Sequence, residues 1–309
     1  MPVLEDIRAL DFDNSQVTFW TIKGPNGLAS EAPKYSGKWV ETTDQLDAFL
    51  KTTLVEDLLR IEEVLDYGLL TQNNEASALH IPTDETYAHK ILVEIQAEIS
   101  EKKVTKVKQL LNSSLYLAKI IIEDDVIIAV RKTDSRWRTK KAANLKNIYF
   151  SDEQLAIDNC PHFELSKTFD FIIFRGDILI LNKGAFESVL RHKQAQKDDF
   201  AELLQEEEFH AAFVDVAPLV NYIGDNKIQL RRACAIRMKG HYRDADFMER
   251  LRVNQAEYGF NIHFDVNGKI IATEESCPQI MKALLDHRLK SGFSTHIYDV
   301  QDTTPVLVR

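Results

Sequence analysis

The chain has 309 residues, of which 44% are hydrophobic and 28% are charged, a composition typical of a soluble globular protein with one large domain or two. Lys and Arg number 38 against 48 Asp and Glu, and the resulting net charge of −10 excludes a protein that coats nucleic acid over its whole surface. No stretch approaches the ~18 consecutive apolar residues of a membrane span. The N-terminus lacks the basic segment and apolar core of a secretory signal, so we expect a cytoplasmic protein.

The three cysteines, Cys160, Cys234 and Cys277, are too few and too scattered for a disulfide framework or a zinc site. We therefore expect them to be reduced, structural thiols. The sequence contains no glycine-rich phosphate loop, nucleophile elbow, zinc-protease motif or calcium loop. It predicts no cofactor and no metal site, and no specific feature supports an enzyme.

Residues 1–115 are predicted to form an acidic, mostly helical region, with 19 acidic and 11 basic side chains. Alternating residues predict one strand at 16–23, near the start of this region. Apolar residues at helical spacing predict a helix at 44–68. The polar segment 70–82 is predicted to be a loop, and a second long helix is predicted at 83–111, with four lysines in its last turns.

Two hairpins are predicted after this region. Apolar, β-branched runs at residues 118–122 and 126–130 flank a short acidic turn, and residues 169–181 repeat the pattern around another turn. Because these runs are almost continuously apolar, we expect central strands that are covered on both faces. Residues 116–183 are therefore predicted to form an antiparallel meander of about four strands.

The remaining predicted elements are a strand at residues 146–150, a capping-box helix start at 151–157, helices at 186–190, 198–213 and 228–239, a hairpin around Asn267 and Gly268, a helix at 275–290 that stops at Gly292, and a last strand at 293–300. The predicted fold class is α+β, with a helix-rich N-terminal region followed by an antiparallel-sheet (β-meander) domain with flanking helices. The boundary is predicted near residue 115, dividing 1–115 from a mixed α/β domain at 116–309.

Residues 131–146, here called the basic arm, carry the most concentrated charge in the sequence. Seven basic side chains stand against one acid, Asp134, giving +6 on a chain of −10. The basic residues are Arg131, Lys132, Arg136, Arg138, Lys140, Lys141 and Lys146. Such side chains neutralise phosphates, and Trp137 among them is a residue type that stacks on bases. The pattern indicates a contact with nucleic acid. The alternative is an exposed loop whose Trp137 packs back on the core.

A second basic cluster follows in the last third of the chain. Its candidate DNA contacts are Arg231, Arg232, Arg237, Lys239 and Arg243, and Arg250 and Arg252 extend it. On a helix at 228–239, Leu230, Cys234 and Met238 share one face. Arg237 falls beside this apolar stripe, so the basic residues of the helix cannot form one surface. Structural ion pairs and a contact with a polyanion are both open for this cluster.

Two alternative functions also follow from the sequence. Five carboxylates lie in or near hairpin turns and strand ends, where a metal-dependent nuclease places its ligands. They are Glu123, Asp124, Asp125, Asp170 and Asp177. The other alternative is an assembly or scaffold protein whose charges serve protein contacts without any DNA contact.

Short strings along the whole chain carry a family resemblance. They are YGLL with QNNE at 67–75, TDETYA at 83–88, SDEQL at 151–155, FESVL at 186–190, NKI with LRRACAIR at 226–237, LLDHRL with SGFST at 284–295, and IYDV at 297–300. In these strings the chain resembles the KwaB-like family, the soluble components of the bacterial Kiwa anti-phage defence system.

The resemblance implies a cytoplasmic, DNA-binding homodimer that is recruited to the inner membrane through a partner, the membrane protein KwaA. It implies that the complex senses infection at the membrane and restrains replication and transcription of phage DNA. No catalytic motif of the family can be placed on these residues, so the predicted DNA contacts rest on charge alone. The acidic N-terminal region is a predicted surface for partner contact.

Overall fold

The computed structural model describes residues 2–24, 35–81, 86–134, 137, 147–151, 154–158, 163–190 and 192–300. The chain divides into two compact units, the first comprising Met1–Tyr67 and Asn73–Leu190 and the second Gly68–Gln72 and Arg191–Arg309. Residue 115, near which the sequence predicts a domain boundary, lies inside the first unit. The physical reason is strand pairing, because β-strands on both sides of that point belong to one sheet.

In the first unit the helices are α1 (Pro2–Arg8), α2 (Asp44–Arg60), α3 (Thr86–Glu94) and α4 (Lys183–Val189). The strands are β1 (Gln16–Lys23), β2 (Ser36–Val40), β3 (Glu63–Asp66), β4 (Ser77–Ile81), β5 (Leu115–Ile122), β6 (Asp125–Lys132), β7 (Asn147–Ser151), β8 (Gln154–Asp158), β9 (Phe171–Phe174) and β10 (Asp177–Ile180).

An eight-stranded sheet forms the frame of the first unit, in the order β2-β1-β5-β6-β9-β10-β4-β3. The four central strands β5, β6, β9 and β10 pair antiparallel, which confirms the predicted meander. Strand β1 adds antiparallel to β5 at one side. At the other side β4 pairs antiparallel with β10, and β3 pairs parallel with β4. The α+β class is confirmed.

Both faces of the central strands are covered, as the continuous apolar runs predict. In β6, Ile127 and Ala129 belong to a core cluster that includes residues of α1 and α2. The alternate residues Ile128 and Val130 belong to a second cluster with residues of α3 and α4. Successive side chains of a strand point to opposite faces, so one apolar run serves two cores.

Helix α2 is shorter than the sequence predicts. Thr43 caps its start, and the helix ends at Arg60 instead of continuing to Gly68. Arg8 donates hydrogen bonds to the carbonyl of Leu58 at 2.6 Å and to that of Ile61 at 2.5 Å. A side chain distant in sequence therefore satisfies carbonyl groups at the helix terminus, and the next residues extend into β3.

Two further predictions for the first third of the chain are wrong. The segment 70–82 contains strand β4, which lies in the sheet between its partners β10 and β3. The predicted long helix at 83–111 ends at Glu94, and residues 83–85 lie outside the described part of the chain. Its lysines lie in or beside two short 3-10 turns, Ser100–Lys102 and Val107–Gln109. Side-chain bonds such as that from Lys102 Nζ to the Glu94 carbonyl (2.6 Å) hold this irregular segment.

The strand predicted at 146–150 corresponds to β7. The helix start predicted at 151–157 is wrong, because this segment pairs as the hairpin β7–β8, with Phe150 opposite Leu155 and Ser151 opposite Gln154. A capping-box pattern is a local signal, and pairing with a neighbouring strand overrides it here.

In the second unit the helices are α5 (His192–Leu203), α6 (Glu207–Ala211), α7 (Ala217–Ile223), α8 (Lys227–Lys239), α9 (Ala245–Asn254) and α10 (Cys277–Leu284). The strands are β11 (Phe213–Asp215), β12 (His263–Phe264), β13 (Ile270–Ile271), β14 (Arg288–Lys290) and β15 (Ile297–Asp299). Leu230 of α8, Phe209 of α6 and Ile280 of α10 lie in one buried core. Among the described helices, none is both long enough and apolar enough to cross a bilayer.

The end of the second unit is confirmed in one element and corrected in another. The hairpin around Asn267 and Gly268 is confirmed as β12–β13, and Gly268 takes the φ of 82° that the turn requires. The helix predicted to reach residue 290 ends at Leu284, since Asp286 adopts a left-handed φ of 56°. The chain then enters β14, which pairs with β15. Gly292 therefore lies between two strands.

Helix α8 agrees with its predicted span but only partly with its predicted face. Asn226 caps its start and Gly240, at a φ of 65°, ends it. Leu230 and Cys234 are buried, whereas Met238 is 77% exposed. The helix predicted at 198–213 is divided into α5 and α6, because the extended backbone of Glu206 separates them.

Candidate nucleic-acid interface

The basic arm begins directly at the end of β6, a central strand of the sheet. Arg131 lies opposite Tyr116 and Lys132 opposite Leu115 in the β5–β6 ladder. Beyond residues 131–134 and Trp137, the remaining candidate contacts Arg136, Arg138, Lys140, Lys141 and Lys146 lie outside the described residues. The structure thus defines where the arm leaves the sheet.

Trp137 lies in the core of the first unit, 2% exposed. Its ring is stacked with Tyr116 at 5.6 Å between centroids, and it lies 4.7 Å from the ring of Phe163. The indole Nε1 donates to the carbonyl of Glu164 at 2.8 Å, and the Trp137 carbonyl accepts from the Asn112 amide at 2.7 Å. Of the two placements that the sequence left open, the packed one is observed. Trp137 anchors the arm and is not available to stack on a base.

A buried carboxylate holds the start of the arm. Asp170 accepts from Arg131 Nη1 at 2.8 Å and from the backbone N–H of Lys132 at 2.7 Å. Burial raises the pKa of Asp170, although the hydrogen bond from Lys132 and the charge of Arg131 act in the opposite direction. Lys132 Nζ donates to Ser188 Oγ at 2.8 Å, which leaves further donors on its ammonium group. Arg131 is thus committed to an internal ion pair, whereas Lys132 can still contact another acceptor.

A cavity of about 270 Å³ lies beside the first residues of the basic arm. It is lined by Tyr116, Arg131, Lys132, Asp134, Glu164, Leu165 and Ser166. Two cationic and two acidic side chains balance one another, so the cavity alone does not favour an anion. The excess positive charge of the arm resides in its other five basic side chains.

The second predicted cluster separates into different surroundings. Arg237 pairs with Glu202 at 2.6 Å and with Glu206 at 2.8 Å, and Arg243 pairs with Glu206 at 2.5 Å. Lys239 Nζ donates to the Leu285 carbonyl at 3.0 Å. Arg231 and Arg232 are half-buried on α8. The geometry favours structural ion pairs for Arg237 and Arg243, which share the carboxylate of Glu206.

Glu206 is the centre of this ion-pair network and predicts a pH dependence. Burial alone would raise the pKa of Glu206, but hydrogen bonds from Tyr242, Arg237 and Arg243 together lower it to about 2. A carboxyl whose pKa is lowered by folding stabilises the protein above its unfolded pKa, and this contribution disappears as the pH falls from about 4.5 to about 2.

We therefore expect Glu206→Gln to remove about 2 kcal/mol of stability at pH 6 and less at pH 3, measured by urea denaturation. Glu207→Gln, at the exposed neighbouring position, is the matched control and is expected to change stability by less than about 0.5 kcal/mol. An equal loss for Glu206→Gln at both pH values would contradict the role of its ionised form.

Three of the five carboxylates considered for a metal-dependent nuclease form ion pairs, and the other two, Glu123 and Asp124, are exposed in the β5–β6 turn. Asp125 pairs with Arg175 at 2.7 Å, Asp177 with His80 at 2.6 Å, and Asp170 with Arg131. Within the described ranges, no group of three or more His, Cys, Asp or Glu residues is placed to hold a metal ion. Among the described residues, the contacts of these carboxylates therefore give no support to the nuclease alternative.

A basic cavity in the second unit was missed by the sequence analysis. It has a volume of about 450 Å³, and Arg250, Lys282, Arg288 and Lys290 contribute to its lining. The prediction of one helix through residue 290 concealed this grouping, because it placed the last two cations on a helix instead of strand β14. The excess of cations over acids between Lys282 and Lys290 was the available signal.

One comparison with known proteins identifies a family. The family model of the Kiwa protein KwaB-like family matches residues 110–293, more than half of the chain. The matched segment includes the central strands β5, β6, β9 and β10, the basic arm and helix α10. No curated protein and no solved structure gives a match. The chain therefore belongs to the KwaB-like family and is a component of Kiwa anti-phage defence.

Proposed function

We propose that the chain is a DNA-binding effector of Kiwa defence, which holds phage DNA through the basic arm. In this proposal it acts with the membrane protein KwaA to restrain replication and transcription of phage DNA. The observation that carries the proposal is the +6 charge of residues 131–146 on a chain of −10, in a segment that begins at the end of strand β6. A concentrated cation cluster binds a polyanion locally, although the protein as a whole is acidic.

The anchoring of the arm supports this proposal. Trp137 is packed in the core of the first unit, and Arg131 forms an ion pair with Asp170. These two contacts fix the first part of the basic arm, at residues 131 and 137, to the first unit. A tethered arm loses less conformational entropy on binding than a free tail does. Because Trp137 is buried, the expected contacts are between cations and phosphates, with little sequence preference.

We further propose a cytoplasmic homodimer that is recruited to the inner membrane by its partner. Residues 1–115, which contain 19 acidic and 11 basic side chains, are the proposed surface for that contact. Like charges would keep this surface away from DNA, so the two roles fall on different parts of the chain.

The test is a salt series of DNA binding by the wild type and by a variant in which Arg136, Arg138, Lys140 and Lys141 are changed to alanine. We expect the variant to bind about 10²- to 10³-fold more weakly near 0.1 M salt, because each lost phosphate contact removes counterion release. The slope of log affinity against log salt is expected to become shallower by about 3 to 4. Fluorescence anisotropy of a labelled duplex measures both quantities.

A matched pair of variants controls for net charge. Lys140→Ala/Lys141→Ala and Lys106→Ala/Lys108→Ala remove the same charge, but only the first pair lies in the basic arm. Equal affinity losses in the two pairs would contradict a localised DNA surface. Plasmid DNA incubated with Mg²⁺ or Mn²⁺ in parallel is expected to stay intact, and metal-dependent cleavage would assign the nuclease function instead. Absence of binding by the wild type would favour the assembly function.

A further inference from the structure

The cavity of about 450 Å³ in the second unit lies among α9, α10, β14 and the segment between α9 and β12. Its volume falls in the range of sites that hold small organic ligands. It is lined by Phe247, Arg250, Leu251, Asn254, Gln255, Tyr258, Phe260, Lys282, Ala283, Asp286, Arg288, Leu289 and Lys290. The lining thus combines cationic and aromatic side chains in one concavity.

The charge of this cavity is positive even after its ion pairs are counted. Four cationic side chains line it against one acid, Asp286. Lys282 and Arg288 share a single acid, Asp299, at 2.6 and 2.9 Å, and Lys290 pairs with Glu257 at 2.6 Å. Four cations and three acids leave a net charge of +1, in a protein whose total is −10.

Arg250 is the cation that remains available. Its Nε donates to the Asp246 carbonyl at 3.2 Å, one turn earlier on the same helix. Among the described residues, no carboxylate lies within ion-pair distance of its guanidinium group. A guanidinium offers five donors in a planar fork that suits a phosphate group, so Arg250 can receive an anion without first breaking an internal pair.

Arg288, by contrast, builds the wall of the cavity. Its guanidinium lies over the ring of Phe260 at 4.3 Å and donates to the carbonyls of Tyr258 (3.0 Å) and Gly259 (2.9 Å). These bonds fix the segment that carries Tyr258. The aromatic side of the cavity is therefore preformed, which reduces the entropy cost of binding a ligand.

The other lining residues suit a planar, partly polar group. Phe247, Tyr258 and Leu251 provide apolar surface, on which an aromatic ring can stack. Asn254 is exposed at the end of α9, and its amide offers both donors and an acceptor for the edge of a base. Phosphate-binding cations beside an aromatic wall match the two halves of a nucleotide.

We propose that this cavity binds a phosphorylated nucleoside, with the phosphate on Arg250 and the neighbouring lysines and the base against the Tyr258 side. The ligand is either a free nucleotide or a nucleotide within a single strand, since both present the same chemistry. The site is independent of the proposed DNA contacts of the basic arm, which belong to the other unit.

The test is isothermal titration calorimetry of the full chain with adenosine monophosphate, inorganic phosphate, adenosine and a short oligothymidylate. We expect adenosine monophosphate to bind with a Kd on the order of 10–100 μM, and phosphate and adenosine each to bind at least about tenfold more weakly. Binding of the monophosphate identifies a free nucleotide as the source, and binding of the oligothymidylate alone identifies a strand.

Variants locate the binding in the cavity. Arg250→Ala is expected to raise the Kd of the nucleotide about tenfold, because its charged hydrogen bonds to the phosphate are lost. Arg252→Ala, on the same helix but paired with Glu249 and outside the lining, is the matched control and is expected to bind like the wild type. Glu257→Gln releases Lys290 and is expected to tighten binding about threefold.

Tyr258→Ala tests the part of the site that would hold the base. It is expected to lower the affinity for the nucleotide about tenfold and to leave the affinity for inorganic phosphate unchanged. Equal binding by Arg250→Ala and Arg252→Ala would overturn the proposal. It would also be overturned if phosphate bound as tightly as the monophosphate, or if no nucleotide or oligonucleotide bound at about 1 mM. Repeating the titration with the four-alanine arm variant separates the two sites, because that variant is expected to keep the cavity's affinity.

Discussion

Replacing Trp137 with alanine is expected to lower the free energy of unfolding by about 3–5 kcal/mol, the range for a large aromatic side chain removed from a core. Trp137 is 2% exposed and contacts the rings of Tyr116, Phe19 and Phe163. Its deletion leaves a cavity among these rings and removes the hydrogen bond from the indole N–H to the Glu164 carbonyl. Urea denaturation followed by circular dichroism measures the loss.

Two variants make this result specific. Trp137→Phe keeps an aromatic ring but loses the indole N–H, so we expect a smaller loss, of about 1–2 kcal/mol. Trp39→Ala is the control at a half-buried position on the edge strand β2, where the loss is expected to stay near 1 kcal/mol. Similar losses for Trp137→Ala and Trp39→Ala would contradict the burial of Trp137.

The same variant also tests whether Trp137 positions the basic arm. At a temperature where Trp137→Ala is folded, we expect weaker DNA binding than for Trp137→Phe, because the arm has lost its anchor while its charges are unchanged. If the folded alanine variant bound DNA like the wild type, Trp137 would have only a structural role.

Replacing Asp170 with alanine is expected to cost about 3–5 kcal/mol, because it leaves the half-buried Arg131 cation without its partner. The Lys132 amide also loses its acceptor. The double variant Arg131→Met/Asp170→Ala is expected to recover part of the loss, since no unpaired charge then remains at the site. Thermal and urea unfolding measure both variants.

Asp124→Ala is the control for this experiment, since Asp124 is an exposed acid in the β5–β6 turn. A change of less than about 0.5 kcal/mol is expected there. If the double variant were no more stable than Asp170→Ala, the lost stability would come from the hydrogen bond to the Lys132 backbone and not from the unpaired charge of Arg131.

The candidate site was predictable in its charge but not in its geometry. The +6 of the basic arm depends only on residue identities, so it could be counted from the sequence. Which residues of the arm have internal contacts could not be predicted from the sequence. Arg131 pairs with Asp170 and Trp137 donates to the Glu164 carbonyl, and both partners lie more than 25 residues away along the chain. The same limit hid the basic cavity of the second unit, whose lining comes from α9, α10 and β14.

The sequence by itself determined the elements that rest on local pattern. The hairpins β5–β6, β9–β10 and β12–β13 follow from apolar runs beside turn residues, and α8 agrees with the span predicted from the sequence. The family resemblance, confirmed over residues 110–293, likewise needed only residue identities.

Only the tertiary structure decided where other elements end and which strands meet. Arg8 donates to the terminal carbonyls of α2, and β4 pairs with β10 and β3 although its segment has no strand pattern. Each of these outcomes depends on a partner distant in sequence, and such a partner outweighs local propensities of a few tenths of a kcal/mol per residue.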